Sequence, residues 1–419
     1  MTDFTKLKTC LACGGSNLLR YADFGSQPLA NDFHVGKDSG DIFPLGLQVC
    51  QDCWHSQQFG VVDPDRLYRD YAYASGTSNT LREYFAGFVA QVERDNPGVV
   101  IDDGPDPVPH VSILEIASND GSLLKQFADR GHFVQGVDPS QLAKVADKAG
   151  IPTIRDYWNE KSSLLALGNQ PGGYDVIVAM NVLGHVDQPL EFLELCKAVL
   201  APHGRIYVQT SQAHMVRNTE FDTVYHEHIS FFTGRSFMAL ADRAGLVVDK
   251  IGYAPVHGTS YLVELIAGDS QVTEDAFPIV IDEKHHGLYT PTIYKSFTYH
   301  VNELIDHVQS SLELARREGF RLAGYGAAAK GMAFINQAGL HMDFVVDDSP
   351  LKAGKSCPGS NIPVIAAADG RIDEQVPFMW LILAWNMEAE IKAKIKARRP
   401  ANAADRFMVC FPKLTVTAQ

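Results

Sequence analysis

The stretch that decides the fold is HVSILEIASNDGSLLKQFADRGHFVQGVDPS, His110–Ser140. Its first part is apolar and predicts a strand that ends near Ser118. A helix is predicted next, from Gly121 to the glycine that closes it, and a second strand follows, which ends at Asp138. A strand, a helix and a strand at this spacing predict two neighbouring parallel strands joined by a helical crossover.

The same alternation continues towards Gly268. The predicted helices are QLAKVADKAG, PLEFLELCKAVLAPHG (Pro189–Gly204) and SFMALADRAG. The predicted strands are a short one within IPTIRDYW and the segments YDVIVAMNVLGHV, RIYVQTS, LVVDKIGYA and TSYLVELIAG. This series predicts an open parallel sheet with helices on both faces. The last two strands are separated only by PVHG, which predicts an antiparallel hairpin at the edge of the sheet.

Four of the seven cysteines form two C-x-x-C pairs, Cys10 with Cys13 and Cys50 with Cys53. Paired thiolates at this spacing are typical of one tetrahedral zinc. Four cysteine ligands leave no open position, so the zinc is predicted to be structural. The long segment between the pairs requires a small folded insert.

A third region begins near Asp275. A long amphipathic helix is predicted from about Thr290 to Glu318, followed by strand, glycine turn, helix and strand in a second, smaller Rossmann-like unit. The fold class is therefore α/β, with a Rossmann-like domain between a small zinc module and a second Rossmann-like domain. The predicted domain limits are 1–73, 74–272 and 273–419.

The bulk composition excludes several classes of protein. The net charge is −14, which is unfavourable for binding nucleic acid through its phosphates. The first residues show no apolar signal segment, and no run approaches the ~18 apolar residues of a membrane span. These features predict a soluble, cytoplasmic protein that binds no nucleic acid or membrane, and they indicate no obligate protein partner.

Two turns at predicted strand ends are suited to nucleosides. In the first unit, Glu115 ends one strand, Gly121 opens the helix, and Asp138 is placed to accept both hydroxyls of a ribose. This turn lacks a phosphate-cradling G-x-G-x-x-G, which favours a nucleoside without phosphates such as S-adenosylmethionine; a purely structural turn is the alternative. In the second unit, Gly324-x-Gly326-x-x-Ala329 has the form of a dinucleotide fingerprint.

The segment FDTVYHEHISFF, Phe221–Phe232, holds two histidines around one glutamate. A metal site there is disfavoured, because His226 and His228 alternate sides in an extended chain and no H-E-x-x-H spacing is present. The loop follows the predicted strand RIYVQTS, so it emerges at the ligand-binding edge of the sheet.

Taken together, these motifs resemble a known family, the S-adenosylmethionine-dependent sugar C-methyltransferases of deoxysugar biosynthesis. Those enzymes add a methyl branch at carbon 3 of a dTDP-linked 4-keto-6-deoxyhexose. The resemblance covers nearly the whole chain and is carried by the four cysteines and by YAYASGTSNT, LEIASNDGS, GVDPS, NVLGHV, EFDTVYHEHISFF, VHGTS, GYGAAAKG, DDSPLKAGKSCPGSNIPV and LAWN. One position departs from it: the family usually has glycine where Ala117 stands, and the added methyl is expected to crowd the cofactor slightly.

The resemblance implies the ligands and the residues that hold them. S-adenosylmethionine is expected at Glu115, Ala117, Ser118, Asn119, Gly121, Asp138, Pro139 and Asn181. The dTDP-linked keto-deoxysugar is expected at His226, His257, Ser260, Tyr325, Lys330 and Asn386. The glycine turn of the C-terminal unit would then serve the sugar nucleotide rather than a nicotinamide.

The resemblance also implies catalytic roles. His228 is expected to be the base that removes a proton beside the ketone, since a neutral imidazole can take a proton near pH 7. Tyr225 and His185 are expected to donate to the developing oxyanion. Glu227 is expected to orient a histidine or to bind the sugar, and Tyr73 to shape the methyl-transfer pocket.

Three other functions remain open on the sequence. An O- or N-methyltransferase acting on a nucleotide sugar needs no carbon acid. An NAD-dependent sugar-nucleotide oxidoreductase would use the C-terminal glycine turn for its cofactor. A non-enzymatic module would use the zinc domain for protein contacts, but it would not explain the polar side chains at the strand ends.

Overall fold

The structure, a computed structural model, describes residues 3–36, 40–68, 79–96, 99–100, 109–256, 258–268, 277–373, 375–399 and 404–418. Tyr73 and His257, two of the predicted site residues, lie outside the described residues.

The middle domain is built on a seven-stranded sheet. Its elements are α2 (Asn79–Asp95), β6 (Val99–Val100), β7 (Pro109–His110), β8 (Ser112–Ile116), α3 (Ser122–Ala128), β9 (Phe133–Val137), α4 (Ala143–Lys148), β10 (Thr153–Ile154), α5 (Glu160–Asn169), β11 (Tyr174–Met180), α6 (Pro189–Ala198), β12 (Leu200–Thr210), α7 (His214–Arg217), β13 (Ser230–Phe231), α8 (Gly234–Arg243), β14 (Leu246–Ala254) and β15 (Ser260–Ala267). The strand order is β10-β9-β8-β11-β12-β15-β14. The first five strands are parallel, and β15 and β14 form an antiparallel hairpin at one edge. The predicted Rossmann-like sheet and its edge hairpin are therefore confirmed.

One predicted element is wrong in its extent. The helix predicted over Pro189–Gly204 ends at Ala198, and β12 begins at Leu200. Pro202 has no N–H to continue a helix, and it disfavours helical backbone at the residue before it. Leu200 pairs with Tyr174 of β11 instead, ahead of a register shift in that pair of strands.

The N-terminal domain consists of short antiparallel strands around the four cysteines. Its elements are β1 (Phe4–Lys6), β2 (Leu18–Pro28), β3 (Ile42–Cys50), β4 (Ser56–Gln58), β5 (Gly60–Val62) and α1 (Pro64–Tyr68). The insert between the cysteine pairs is the β2–β3 hairpin. Strand β4 also pairs with β13, which belongs to the loop that follows β12 of the middle domain. The zinc module thus completes its four-stranded sheet with a strand of the FDTVYHEHISFF segment.

The C-terminal domain has a six-stranded sheet. Its elements are α9 (Pro278–His285), α10 (Pro291–Arg317), β16 (Arg321–Tyr325), α11 (Ala329–Gln337), β17 (Phe344–Asp347), β18 (Val364–Ala366), β19 (Phe378–Ile382), α12 (Glu388–Arg398), β20 (Arg406–Val409) and β21 (Thr415–Ala418). The order is β18-β17-β16-β19-β20-β21, and only β21 runs antiparallel to its neighbour. The second Rossmann-like unit is confirmed, and β20 and β21 extend it beyond the predicted elements. The topological switch point lies between β16 and β19.

No helix among the described residues is long and apolar enough to cross a membrane. The limits 1–73, 74–272 and 273–419 stay predictions. The β14–β15 hairpin, which ends at Ala267, belongs to the middle sheet and lies inside the second of these ranges.

Candidate active site and zinc centre

The segment Phe221–Phe232, here called the histidine loop, is held from both flanking domains. Gln58, at the end of β4 in the zinc module, donates from Nε2 to the carbonyls of Tyr225 (2.8 Å) and His228 (2.9 Å). From the C-terminal domain, Gln337 donates to the carbonyl of Val224 at 2.7 Å. The turn between Tyr225 and His228 is therefore fixed by side chains that lie far away in the sequence.

His228 has a defined tautomer. Its Nδ1 lies 2.9 Å from the carbonyl of Thr223, and a carbonyl only accepts, so Nδ1 carries the proton. Its Nε2 lies 2.6 Å from the hydroxyl of Tyr225 and accepts from it. Since the imidazole lone pair is on Nε2, that nitrogen is the basic atom. Both side chains are only partly buried, which leaves them accessible from the strand ends.

His185 lies next to this pair. It ends the short 3-10 turn Leu183–His185 that follows β11, and its ring centroid is 4.9 Å from that of His228. The hydroxyl of Tyr68 lies 3.3 Å from its Nδ1 and donates to the carbonyl of Glu227. The structure thus brings three of the predicted catalytic residues, His228, Tyr225 and His185, into one cluster and adds Tyr68.

His226 and Glu227 point away from the cluster. His226 is 1% exposed, and its Nε2 donates to the carbonyl of Phe43 in β3 at 3.2 Å. Burial lowers its pKa to about 4. Glu227 is 2% exposed and accepts from Asn31 at 2.9 Å, and burial raises its pKa. Among the described residues, neither side chain forms a hydrogen bond with another histidine, so the geometry favours a packing role for His226 and does not support the expectation that Glu227 orients a histidine.

The predicted cofactor residues meet at the carboxyl ends of β8 and β9. Asp138 accepts from the N–H of Asn119 (2.9 Å) with one oxygen and from the N–H of Ser140 (2.8 Å) with the other. Pro139, which is half-buried, lies between Asp138 and Ser140 in the chain. The hydroxyl of Ser140 also donates to Oδ1, at 2.5 Å. The carboxylate of Asp138 therefore fixes both turns, and its Oδ2, with one hydrogen bond, still has a lone pair for a ligand.

Glu115 and Ser118 are buried polar residues at this edge. Glu115 is 4% exposed, and both its Oε2 and the hydroxyl of Ser118 lack a hydrogen-bond partner within the described part of the chain. Burial raises the pKa of Glu115 well above its usual range, and the charges of Asp120 and Asp138 add to the rise. Buried polar atoms without partners are costly, so these two fit a site completed by a polar ligand.

The turn after β8 contains strained backbone. Ala117 has φ 57° and Asn119 has φ 54°, both in the left-handed region that disfavours residues with a Cβ. Asparagine tolerates this conformation, whereas alanine there costs of order 1 kcal/mol. Where the family usually has glycine, Ala117 thus carries a backbone penalty in addition to the crowding expected from its methyl. Gly121, at φ 75°, begins α3, and a Cβ there would lie 3.0 Å from that of Ala146.

A hydrogen-bond chain that sequence patterns did not reveal supports Asn181. Gln209 at the end of β12 donates from Nε2 to Asn181 Oδ1 (3.0 Å), and its carbonyl accepts from the N–H of Asn181 (2.8 Å). Tyr84 on α2 donates to Gln209 Oε1 at 2.7 Å. These contacts hold Asn181 in a left-handed backbone conformation directly after the carboxyl end of β11. Tyr84 and Gln209 lie on distant elements, so only the tertiary structure joins them.

In the C-terminal unit, Asp347 has the same hydrogen-bonding arrangement as Asp138: its carboxylate accepts from two backbone N–H groups at the end of a strand. Asp347 accepts from the N–H of Ala327 (2.7 Å) and from the N–H of Ser349 (2.9 Å), in the same arrangement of strand end and preceding turn. Tyr325, at the end of β16, donates to Asp348 at 2.8 Å. The predicted glycine turn is therefore a folded Rossmann turn.

Two of the other predicted substrate residues, Lys330 and Asn386, lie at the switch point between β16 and β19. Lys330 at the start of α11 places Nζ 4.7 Å from the centre of the Trp385 ring. Asn386 is exposed beside it, while Ser260 is buried and donates to the carbonyl of Val256. Lys330 and Asn386 are thus accessible at the domain junction, and Ser260 is committed to backbone.

The four predicted zinc ligands are brought together. One sulfur each from Cys10, Cys13, Cys50 and Cys53 lies within 4.8 Å of the others, and the Cys10–Cys53 and Cys13–Cys50 sulfurs are 3.5 Å apart. Zn–S bonds of about 2.3 Å in a tetrahedron place sulfurs at such separations. The donor set fits a structural zinc, and within the described ranges no histidine or carboxylate joins this cluster.

Comparisons with known proteins agree with this architecture. Three family models match in succession: "Putative zinc binding domain" over residues 10–68, "Methyltransferase domain" over 78–251 and "C-methyltransferase C-terminal domain" over 255–412. The C-methyltransferase NovU of Streptomyces niveus is 30% identical over 91% of this chain and 90% of its own length.

Two further similarities cover less than half of this chain. A ubiquinone biosynthesis O-methyltransferase of Paraburkholderia xenovorans is 32% identical over 28% of this chain and 52% of its own length. A solved S-adenosylmethionine-dependent methyltransferase from Clostridium acetobutylicum aligns with TM-score 0.36 and 11% identity over 45% of this chain and 92% of that one. The relative that spans all three domains decides the assignment: the chain belongs to the S-adenosylmethionine-dependent C-methyltransferase family.

Proposed function

We propose that this enzyme acts in the cytoplasm and transfers a methyl group to carbon 3 of a dTDP-linked 4-keto-6-deoxyhexose, through an enolate that His228 forms. The observation that carries the proposal is the Tyr225–His228 pair, in which the basic Nε2 faces a phenol at 2.6 Å. A carbon beside a ketone becomes nucleophilic only when a base removes its proton and a donor stabilises the enolate oxygen. Methyl transfer to oxygen or nitrogen also releases a proton, but it involves no carbon acid and no enolate oxygen that must be stabilised.

S-adenosylmethionine, when bound, supplies an electrophilic methyl group. The residues that would hold it are those at the ends of β8, β9 and β11. Asp138 would accept a ribose hydroxyl with Oδ2, and the unpaired buried atoms of Glu115 and Ser118 would find partners in the polar ligand. Asn181, fixed by Gln209, would close the site from the β11 side.

The carbon acid would lose its proton to Nε2 of His228. The imidazolium that results is stabilised in place, because its Nδ1–H already donates to the carbonyl of Thr223 at 2.9 Å. For Nε2 to be available, the hydroxyl of Tyr225 must stop donating to it. A ketone oxygen can take over that hydrogen bond, so arrival of the substrate would expose the base and supply an oxyanion donor in one movement.

His185 and the nucleotide-facing residues complete the proposal. His185, with its ring 4.9 Å from that of His228, is a second donor for the enolate oxygen in its protonated form, since the neutral ring holds its proton on Nδ1 beside the Tyr68 hydroxyl. Lys330 and Asn386 lie at the switch point of the C-terminal sheet, where an α/β unit binds its ligand. The cation of Lys330 suits the diphosphate of a sugar nucleotide. The acidic chain, with net charge −14, makes the sugar nucleotide a better partner than nucleic acid.

The proposed function is tested by product analysis with a dTDP-4-keto-6-deoxyhexose and S-adenosylmethionine. We expect a product heavier by one CH₂, with NMR placing the new methyl on carbon; a methyl on oxygen or nitrogen would favour the other methyltransferase class. S-adenosylhomocysteine should raise the melting temperature of the protein and NAD should not. Stabilisation by NAD alone would instead indicate an oxidoreductase.

Replacing Asp138 tests the cofactor site. Asp138→Ala should weaken S-adenosylhomocysteine binding by about 1–3 kcal/mol, because a charged acceptor is lost and the turn at Asn119 is released. Isothermal titration calorimetry measures the change. Asp347→Ala is the matched control, since it removes a carboxylate with the same two backbone contacts in the other Rossmann-like unit. Equal affinity in wild type and Asp138→Ala would contradict the site.

A further inference from the structure

A side-chain hydrogen bond joins the turn that follows β19 to the segment that carries the proposed base. The indole Nε1 of Trp385 donates to Oδ2 of Asp222 at 2.7 Å. Trp385 begins the 3-10 turn directly after β19, at the switch point of the C-terminal sheet, and Asp222 is the middle residue of the 3-10 turn Phe221–Thr223. Asp222 is 1% exposed, so the contact is shielded from water and is correspondingly strong.

The turn that Asp222 belongs to decides which nitrogen of His228 is basic. Thr223, the next residue, supplies the carbonyl that accepts from Nδ1 of His228. If this carbonyl moves, the imidazole loses the partner that keeps its proton on Nδ1 and the lone pair on Nε2. Anchoring Asp222 therefore anchors the acceptor that fixes the tautomer.

The opposite side of Trp385 faces the proposed nucleotide site. The ammonium of Lys330 lies 4.7 Å from the centre of the Trp385 ring, and its charge acts on Asp222. The backbone of Gly258 packs against the same ring, where an added Cβ would lie 2.6 Å from an indole carbon. Trp385 thus contacts three segments: helix α11 through Lys330, the β14–β15 loop through Gly258, and the histidine loop through Asp222.

From this geometry we propose that Trp385 and Asp222 are positioning residues. Through them, the C-terminal domain aligns His228 for removal of the substrate proton. The proposal rests on the proposed function for the identity of the reaction. It assigns the C-terminal domain a part in the chemistry in addition to holding the substrate. Displacements of about 1 Å in a reacting group are enough to cost up to 10²-fold in rate.

The chain offers a matched control for Trp385. Trp380 lies on β19 in the same domain, and its Nε1 donates to Oδ2 of Asp405 at 2.9 Å, which is also a buried indole–carboxylate pair. Asp405 makes its other contacts with Arg399 and the N–H of Phe378, away from the histidine loop. Trp380→Phe therefore removes the same kind of bond without touching His228.

The test compares Trp385→Phe with Trp380→Phe in the full-length, zinc-loaded enzyme. We expect Trp385→Phe to lower kcat by about 10–100-fold, with the KM of the sugar nucleotide and the affinity for S-adenosylhomocysteine nearly unchanged. Trp380→Phe should lower the melting temperature at least as much as Trp385→Phe does, but it should leave kcat near that of wild type. Equal kcat values in the two variants would overturn the proposal.

Two further readouts separate positioning from folding. Asp222→Asn keeps an acceptor oxygen for the indole and should retain most of kcat, whereas Asp222→Ala should lose as much as Trp385→Phe. The ¹⁵N chemical shifts of His228 should show the Nδ1–H tautomer in wild type and Trp380→Phe, and a mixture of tautomers in Trp385→Phe. An unchanged tautomer in Trp385→Phe would also refute the proposal, and this measurement needs no substrate, so it stands even if the reaction proves to be a different one.

Discussion

His228→Asn is expected to lower turnover roughly 10²–10⁴-fold, the usual contribution of a positioned general base. In the wild type, Nδ1 of His228 donates to the carbonyl of Thr223, so the basic lone pair of the ring is on Nε2, which accepts from Tyr225. An asparagine can keep a hydrogen bond in this place but cannot hold the proton. The affinities for S-adenosylhomocysteine and sugar nucleotide, measured by calorimetry, should change little.

The neighbouring residues provide the comparison. His226→Asn alters a histidine two positions away that is buried against Phe43, so it should cost stability, about 1 kcal/mol for the lost hydrogen bond, with turnover far less affected. Tyr225→Phe should be milder than His228→Asn, since His185 can still donate to the enolate oxygen. Near-normal turnover in His228→Asn would move the base elsewhere, and His185 and Glu227 would be the next residues to replace.

Loss of the zinc is expected to have the largest effect on folding. Structural zinc sites contribute apparent binding free energies of about 10–16 kcal/mol, and that energy is folding energy. Cys13→Ser should therefore release the metal and unfold the N-terminal module. Because β4 pairs with β13 and Gln58 holds both ends of the Tyr225–His228 turn, catalysis should be lost together with the module.

Elemental analysis, proteolysis and a methyl-transfer assay on the same preparation measure these outcomes. The wild type should carry one zinc per chain. Cys196→Ala is the control: Cys196 is buried in the middle domain, outside the four-cysteine cluster, so this variant should keep its zinc and most of its activity. Wild-type protein that contains no zinc when purified without chelators would refute the assignment.

The sequence predicted the elements of the fold better than their mutual contacts. The βαβ pattern around Glu115 and Asp138 specified the middle sheet, because the period of apolar residues is a local signal. The zinc cluster was also predicted from a local signal, the two-residue spacing within each of the pairs Cys10–Cys13 and Cys50–Cys53. The end of α6 was missed although Pro202 is a local signal against a helix, and the pairing of Leu200 with Tyr174, which is distant in the sequence, has no local signal.

The candidate site was predictable in its residue types and not in its orientation. The sequence placed two histidines in one loop, but only the contact of His226 with Phe43 shows which of them faces the zinc module. Gln58 and Trp385 have no motif that announces a contact with this loop, and their partners lie in other domains. Such contacts depend on how the three domains pack, which local periodicity does not encode.

The most direct test of the central claim is proton exchange without methyl transfer. The enzyme is incubated in deuterated water with the dTDP-4-keto-6-deoxyhexose and S-adenosylhomocysteine, and NMR follows the proton on carbon 3. We predict that the wild type exchanges this proton and that His228→Asn does not, although it still binds both ligands. Exchange in His228→Asn at the wild-type rate would contradict the role of His228 as the base.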